Sequence, residues 1–162
     1  QLGIAFDDPR LDLVFADGAK FVEETERKFD VIIVDSTDPV GPGEVLFREE
    51  FYRAAANCLT PGGVIVTQNG VPFMQGAELG GTIEKFRRLF NVASCYLATI
   101  PTYVGGPMAM GWGTDDETLK SVPLEELEGR FAAAGFSTRY YTPEVHKAAF
   151  ALPRYVLDIV EA

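Results

Sequence analysis

The sequence lacks the features that define several other classes of protein. No apolar run approaches the ~20 residues that a membrane-spanning helix requires, and no basic and apolar signal peptide opens the chain. Basic residues are few: 14 Lys and Arg stand against 24 Asp and Glu, which gives a net charge of −10. A chain this acidic is not expected to bind nucleic acid. These absences predict a cytoplasmic protein that contacts neither membranes nor nucleic acid.

Cysteine and histidine are also scarce. Cys58 lies in a helical pattern and Cys95 in a strand pattern, both apolar, so we expect two buried thiols in a reducing compartment. His146 is the only histidine, and no Cys/His cluster has metal-ligand spacing, so no metal is expected. No Ser or Cys nucleophile stands beside His146, and we assign it no catalytic role.

The most informative segment is the apolar run at residues 31–34, which ends in two carboxylates three positions apart, Asp35 and Asp38. A run this short and uniformly apolar predicts a strand buried on both faces of a parallel α/β sheet. Ligands of such sheets bind beyond the carboxyl ends of the strands. The two acids therefore predict a site for a cationic ligand, with helix capping or an Asx turn before Pro39 as the alternative.

The remaining hydrophobic pattern predicts an α/β layered sheet with an antiparallel edge. A turn is expected at residues 61–63, and the short connection at 101–107 allows only an antiparallel pair. Gly135 stands at a helix stop, and Pro153 opens a terminal helix. The predicted strands are residues 11–16, 31–34, 64–67, 92–100 and 108–114, and the predicted helices lie near residues 21–28, 47–59, 79–90 and 124–134.

The start of the chain lacks a glycine-rich loop. Doubly wound sheets normally carry their first nucleotide-binding turn there, but here residues 1–10 look like the tail of an earlier element. We therefore expect the chain to be the C-terminal part of a larger protein.

Five motifs, in their order and spacing, resemble the spermidine synthase (polyamine aminopropyltransferase) family, and most closely its bacterial, putrescine-using members. They are Asp-Gly at 17–18, D-x-x-D-P-x-G-P at 35–42, Thr-Gln-Asn-Gly at 67–70, Ile-Pro-Thr-Tyr at 100–103 and the tail at 140–153. The resemblance implies a Rossmann-like, methyltransferase-type sheet that is mostly parallel with an antiparallel edge hairpin and lacks its N-terminal strands. Residues 1–162 would then be the C-terminal part of one domain, with a core at about 11–115 and a helical extension at about 116–162.

The resemblance also implies a reaction. The family transfers an aminopropyl group from decarboxylated S-adenosylmethionine to putrescine, which gives spermidine and methylthioadenosine. Displacement at a carbon next to a sulfonium requires no metal and no cofactor, because the donor is a co-substrate. The amine, with a pKa of ~10, is protonated at neutral pH, so a carboxylate must bind the ammonium and accept its proton. The full-length protein would be a homodimer or homotetramer.

Residue roles follow from the same resemblance. Asp35 is the expected proton acceptor, and the expected amine site comprises Asp35, Ser36, Thr37, Asp38, Gln68 and Tyr103. Asp17, Gly18 and Pro42 are expected to contact the nucleoside of the donor. The structural alternatives are an N-cap for Asp17, a rigid turn for Pro42, and ordinary hydrogen bonding for Gln68 and Tyr103. Packing is the expected role of Met108, Met110 and Trp112, with a pocket role for one of them as the alternative.

Other functions remain open. An S-adenosylmethionine-dependent methyltransferase shares the strand order, although the second acid and the Pro-x-Gly-Pro turn favour aminopropyl transfer. A P-loop ATPase would need G-x-x-x-x-G-K-[ST], which the sequence lacks. A polyamine- or nucleoside-binding module without turnover is the non-enzymatic alternative. The family's donor-binding loop lies upstream of Gln1, so residues 1–162 alone are expected to be nearly inert, and the acceptor could be putrescine, cadaverine or a longer amine.

Overall fold

In a computed structural model, which describes residues 2–162, four strands form one sheet with helices against it. Short 3-10 segments lie at Leu2–Asp7, Gly41–Phe47 and Leu119–Ser121. The strands are β1 (Phe29–Val34), β2 (Leu59–Gln68), β3 (Val92–Ala98) and β4 (Met108–Thr114). The helices are α1 (Gly18–Glu24), α2 (Glu49–Asn57), α3 (Pro72–Arg87), α4 (Leu124–Ala134), α5 (Pro143–Ala149) and α6 (Arg154–Val160).

The strand order is β1-β2-β4-β3. The pair β1/β2 is parallel, whereas β4 runs antiparallel to both β2 and β3. The connection at 101–107 therefore joins an antiparallel hairpin at the sheet edge, as its length predicts. The α/β class and the hairpin are confirmed, and one of the three pairings between described strands is parallel.

The core lies between the sheet and the helices α2, α3 and α6. One buried cluster joins α2 to β2 and the end of α3 through Phe51, Tyr52, Ile65 and Phe86. A second cluster, built on Leu79, Ile83, Cys95 and Val156, joins α3 and α6 to β3. Both cysteines are buried and free, which confirms the prediction of two thiols. Within residues 2–162, no helix is both long and apolar enough to cross a membrane.

The predicted strand at residues 11–16 is wrong. This segment has no strand pairing, and its apolar side chains are exposed, with Phe15 at 91%. Strand β1 pairs only with β2 and forms one edge of the described sheet. A segment becomes a strand by pairing with a neighbouring strand, and residues 11–16 pair with no strand of the described sheet.

The prediction that residues 31–34 are buried on both faces is also wrong. Ile32 and Val34 pack against the core, but Val31 is 54% exposed and Ile33 is 72% exposed. Alternate side chains of a strand point to opposite faces of its sheet. Helices α1 and α2 cover the face with Ile32, and no described element covers β1 on the other face.

The predicted turn at residues 61–63 is instead part of β2. The β1/β2 register shifts between Phe29 and Val31, and Gly62 takes a φ of +77° there. Glycine accommodates this irregularity because it has no Cβ to clash at positive φ. Helices α2, α3 and α4 match the predicted helices in position, Gly135 ends α4 at φ +67°, and the terminal helix follows Pro153. Helix α1 shares only residues 21–24 with the helix predicted at 21–28, because the chain turns extended at Thr25.

Candidate active site

Four of the predicted site residues line one cleft at the carboxyl ends of β1 and β2. We call it the Gln68 cleft. Its volume is about 380 Å³. Asp35 and Ser36 follow β1 directly, Gln68 is the last residue of β2, and Tyr103 comes from the β3–β4 connection. The cleft is also lined by Ile33, Val34, Val66, Tyr96, Ile100, Met108 and Met110. The two methionines, whose expected role is packing with a pocket role for one as the alternative, both form part of its wall.

Gln68 carries an acceptor that has no partner within the described residues. Its Oε1 is inaccessible to solvent and receives no hydrogen bond. A buried acceptor without a donor costs about 1–3 kcal/mol, and such atoms are rare in folded proteins. A ligand that brings N–H donors would satisfy it. The cleft thus combines a carboxylate, an amide oxygen and a phenol, which is a set of acceptors suited to an ammonium group.

A second cleft shares part of its lining with the first at the end of β1. This Gly18 cleft has a volume of about 410 Å³ and shares Ile33, Val34, Asp35 and Ser36 with the Gln68 cleft. Its other walls come from α1, β1, Leu46 and Phe51. A Cβ placed on Gly18 would meet its nearest atom, Leu46 Cδ2, at 3.8 Å, an ordinary contact. Packing within the described residues therefore gives no reason for glycine at this position.

Asp17 is the N-cap of α1. Its Oδ1 accepts hydrogen bonds from the backbone N–H groups of Ala19 at 2.9 Å and Lys20 at 3.2 Å. Asp17 therefore has the N-cap role that the sequence analysis gave as the alternative to ligand binding. This cap explains why α1 begins at Gly18. Both bonds use the same oxygen. A contact between Asp17 and a nucleoside is compatible with the cap and stays a prediction.

Four predicted residues line neither cleft: Asp17, Thr37, Asp38 and Pro42 are all exposed. Pro42 lies in the first turn of the 3-10 segment Gly41–Phe47. A Cβ on Gly43 would stand 2.6 Å from Thr37 Oγ1, so the loop after β1 folds back closely onto this glycine. The structure thus brings Asp35, Ser36, Gln68 and Tyr103 into one cleft. The remaining predicted residues of the 35–42 motif lie outside it.

Glu78, on α3, is a titratable residue that the sequence did not single out. Burial, helped by the nearby Asp38 charge and opposed by a hydrogen bond from Gln75, raises the pKa of its carboxyl to about 7. Its Oε1 is inaccessible and has no hydrogen-bond partner within the described residues. No local sequence signal marks Glu78, because its environment depends on where the loop after β1 meets α3.

The raised pKa of Glu78 predicts a pH-dependent stability. The unfolded carboxyl titrates near 4.5 and the folded one near 7, so the folded state holds the extra proton between these values. Stability should therefore fall as the pH rises from 4.5 to 7, by about 1–2 kcal/mol after allowance for partial exposure. Glu78→Gln should remove this loss. Thermal unfolding at about pH 5 and about pH 8 measures it; parallel pH profiles for the two proteins would contradict the assignment.

Asn69, to which the sequence analysis gave no role, is fully buried beside Gln68. Its Oδ1 accepts from Thr67 Oγ1 at 2.8 Å and from the Gly111 N–H at 3.1 Å. Its Nδ2 donates to Thr82 Oγ1 at 2.8 Å. One side chain thus ties the end of β2 to β4 and α3. A Cβ on Gly111 would stand 2.5 Å from Asn69 Oδ1, so glycine is required opposite it.

His146 lies in another part of the fold. It lines an apolar cavity of about 270 Å³ under α5, together with Trp112 and Phe150. Its Nδ1 lies 3.4 Å from the Tyr141 hydroxyl. Burial, with a smaller effect from the Lys147 charge, lowers the pKa of His146. Trp112 packs edge-on against Phe150, with ring centroids 5.6 Å apart.

No group of three or more His, Cys, Asp or Glu residues within 2–162 is arranged to hold a metal ion. The expectation of a reaction without metal or cofactor stays a prediction.

Comparisons with known proteins place this geometry in a family. Residues 1–123 match the spermine/spermidine synthase domain. The chain is 70% identical over 152 residues to a polyamine aminopropyltransferase of Ruegeria, covering 94% of this chain and 54% of the relative. It is 56% identical over 156 residues to one of Pseudomonas syringae pv. tomato, covering 96% of this chain and 54% of the relative.

Solved structures agree. A crystal structure of spermidine synthase in complex with the transition-state analogue AdoDATO superposes with a TM-score of 0.87 at 33% identity, over 98% of this chain and 54% of that one. Spermidine synthase from Thermotoga maritima gives a TM-score of 0.82 at 30% identity, over 98% of this chain and 52% of that one.

The fold is a Rossmann-like α/β sheet with two adjoining clefts at the carboxyl end of β1. The chain belongs to the spermine/spermidine synthase family, as the motifs predict. It spans about half the length of the curated relatives it matches.

Proposed function

We propose that the protein of which this chain forms a part transfers an aminopropyl group from decarboxylated S-adenosylmethionine to putrescine, with Asp35 as the proton acceptor. The observation that carries the proposal is that two clefts share the end of β1 and the two polar residues after it, at positions 33–36, where Asp35 is the one carboxylate. Two substrates that react with each other must place their reacting atoms within contact of one another. The residues shared by both clefts are where those atoms would meet.

The acceptor amine would occupy the Gln68 cleft. Asp35, Gln68 and Tyr103 line it and carry the polar groups for an ammonium, and Met108 and Met110 offer apolar surface to the methylenes of a diamine. The buried, unpartnered Gln68 Oε1 is an acceptor that an amine donor would satisfy. A cation with an apolar chain matches this lining better than an anion or a neutral sugar would. The lining of the Gln68 cleft does not define the length of the diamine that binds there. Putrescine is proposed over cadaverine or a longer amine because the motifs resemble those of the family's putrescine-using members.

The donor nucleoside would occupy the Gly18 cleft. Gly18 presents backbone without a side chain, and Leu46 and Phe51 offer apolar surface to a ring. Asp17, the cap of α1, directly precedes Gly18 and has one carboxylate oxygen outside both capping bonds. Pro42 follows in the adjoining 3-10 segment. These residues would form the adenine side of the donor site.

The chemistry requires one proton acceptor. Asp35 binds the ammonium and takes its proton, so that the nitrogen lone pair attacks the propyl carbon attached to the sulfonium. The carbon–nitrogen bond forms as the carbon–sulfur bond breaks, and the electron pair of the latter neutralises the sulfonium. The products are spermidine and methylthioadenosine. Holding nucleophile and sulfonium in line contributes the rest of the acceleration.

A comparison of donors tests the proposal. The full-length protein is incubated with putrescine and either decarboxylated S-adenosylmethionine or S-adenosylmethionine, and the nucleoside product is identified by chromatography. We expect methylthioadenosine from the decarboxylated donor and no product from the other. Release of S-adenosylhomocysteine would instead support a methyltransferase. Binding of both substrates without either product would support a non-catalytic binding module.

A comparison of residues 1–162 with the full-length protein tests whether groups that hold the donor lie outside this chain. We expect residues 1–162 alone to give less than about one-hundredth of the full-length rate, since positioning of both reactants contributes several orders of magnitude. Circular dichroism would establish that the truncated chain is folded. Turnover by the isolated chain at the full-length rate would contradict the prediction that donor-holding groups lie outside it.

A further inference from the structure

Asp38 stands beside the proposed amine site, and one side chain holds it there. Gln75 Nε2 lies 3.4 Å from Asp38 Oδ1 and 3.3 Å from Glu78 Oε2. The amide nitrogen has two hydrogens, and each has one carboxylate oxygen within reach. Gln75 therefore bridges a carboxylate of the loop after β1 to a carboxylate of α3.

The direction of the amide is fixed from its other end. Gln75 Oε1 accepts a hydrogen bond from the Val71 N–H at 3.1 Å. If the amide were reversed, its oxygen would face two carboxylates and its nitrogen would face a backbone donor. All of its contacts therefore agree on one orientation, in which Nε2 points at Asp38 and Glu78.

The backbone is shaped around this amide. Gln75 has non-helical dihedral angles, φ −121° and ψ 32°, inside α3, which is kinked there. Gly70 has φ +64°, and a Cβ at that position would collide with Gln75 Oε1. A glycine and a helix kink together make room for one side chain, which is unexpected for a residue that only faces solvent.

We propose that Gln75 is the positioning residue for Asp38: its amide fixes the Asp38 carboxylate at the edge of the amine site, and Glu78 fixes the amide. This inference rests on the function proposed above. It adds that the second acid of the 35–42 motif depends on α3, and that Gln75 acts through Asp38 rather than by contact with the reacting atoms.

The arrangement also couples amine binding to the protonation of Glu78. The groups that face Glu78 are Asp38 from the loop after β1, Gln75 from its own helix and Tyr52 from α2, whose pKa burial raises to about 12. The Asp38 charge helps to hold the pKa of Glu78 near 7. A cation bound at Asp38 would offset that charge and favour ionised Glu78. Amine affinity should therefore rise with pH through about 7, and binding should release a proton.

The test uses the full-length protein with Gln75→Leu, Gln75→Glu, Glu78→Gln and the control Glu84→Gln. Glu84 is an exposed acid further along the same helix, where it pairs with Arg88. Both Gln75 variants should raise the KM for putrescine about tenfold or more, as expected for the loss of a hydrogen bond to a charged group. The kcat should change less than about threefold, because the proton acceptor is untouched. Glu84→Gln should change neither.

Glu78→Gln supplies an independent readout. Calorimetry of putrescine binding in two buffers of different ionisation enthalpy should detect proton release near pH 7 in the wild type and none in this variant. Gln75→Glu keeps the size of the side chain and an oxygen that can accept from the Val71 N–H. It therefore replaces Gln75→Leu in the test if that variant fails to fold.

Two results would overturn the inference alone: an unchanged KM in folded Gln75 variants of an active enzyme, or identical proton release in wild type and Glu78→Gln. A wild-type protein that releases no methylthioadenosine would overturn the proposed function, and this inference with it.

Discussion

Asp35→Asn in the full-length protein is expected to reduce methylthioadenosine release by about 10²–10⁴-fold, the usual contribution of a positioned general base. Asparagine keeps the shape of the side chain and can still accept a hydrogen bond, but it cannot take the proton of the ammonium. The loss should appear in kcat, because the barrier to nucleophilic attack rises. Initial rates with saturating putrescine measure it.

The matched control is Asp12→Asn, which removes an exposed carboxylate that pairs with Arg27 at 2.7 Å. Exposed ion pairs contribute little to stability, so this variant should keep the wild-type rate. Donor binding, followed by calorimetry with methylthioadenosine, should persist in Asp35→Asn. Wild-type turnover in that variant would remove Asp35 from the mechanism, and the proton would need another acceptor.

Asn69→Leu is expected to lower the free energy of unfolding by about 3–5 kcal/mol. The side chain accepts from Thr67 and from the Gly111 backbone and donates to Thr82 in a fully buried position. Leucine fills a similar volume but removes the Asn69 partner of the Thr67 hydroxyl and of the Gly111 N–H, and it leaves Thr82 with only the Tyr52 hydroxyl at 3.4 Å. Since whole domains are stable by only about 5–15 kcal/mol, the effect should be plain in urea or thermal unfolding.

Asn91→Leu is the matched control, because Asn91 is exposed and bonds through its backbone N–H to Asp115 rather than through its amide. It should change the free energy of unfolding by less than about 0.5 kcal/mol. If both variants lost the same stability, the cost would lie in placing leucine near the sheet and not in the hydrogen bonds of Asn69. Gly111→Ala should behave like Asn69→Leu, because its Cβ would strike the same amide.

Most of the secondary structure follows from local pattern. Periodic apolar residues predict α2 and α4, the short 101–107 connection predicts the antiparallel hairpin, and glycine at 135 predicts the end of α4. The failures have one physical origin. Whether Val31, Ile33 and residues 11–16 are buried depends on which elements lie beside β1, and hydrophobicity along the chain does not carry that information.

The residues of the site likewise fall into those that the sequence predicts and those that depend on tertiary structure. Asp35 is predictable because it directly follows a buried-type strand, and ligands of parallel sheets bind at that rim. The places of Ser36, Gln68 and Tyr103 in the site are predicted by the family resemblance. Glu78 and Gln75 matter through a kink in α3 and its approach to the loop after β1, both of which are tertiary features. Asn69 belongs to a predicted motif, but its hydrogen bonds reach Gly111 and Thr82, far from it in sequence.

The most direct test of the central claim follows the transferred carbon. The full-length protein is given unlabelled putrescine and decarboxylated S-adenosylmethionine that carries ¹³C in its aminopropyl group, and the amines are identified by mass spectrometry. Transfer at the meeting point of the two clefts predicts that the label appears in spermidine, in equal amount to the methylthioadenosine released, and that Asp35→Asn forms almost none. Label that stays in the donor, or putrescine that gains only a methyl group, would contradict the account.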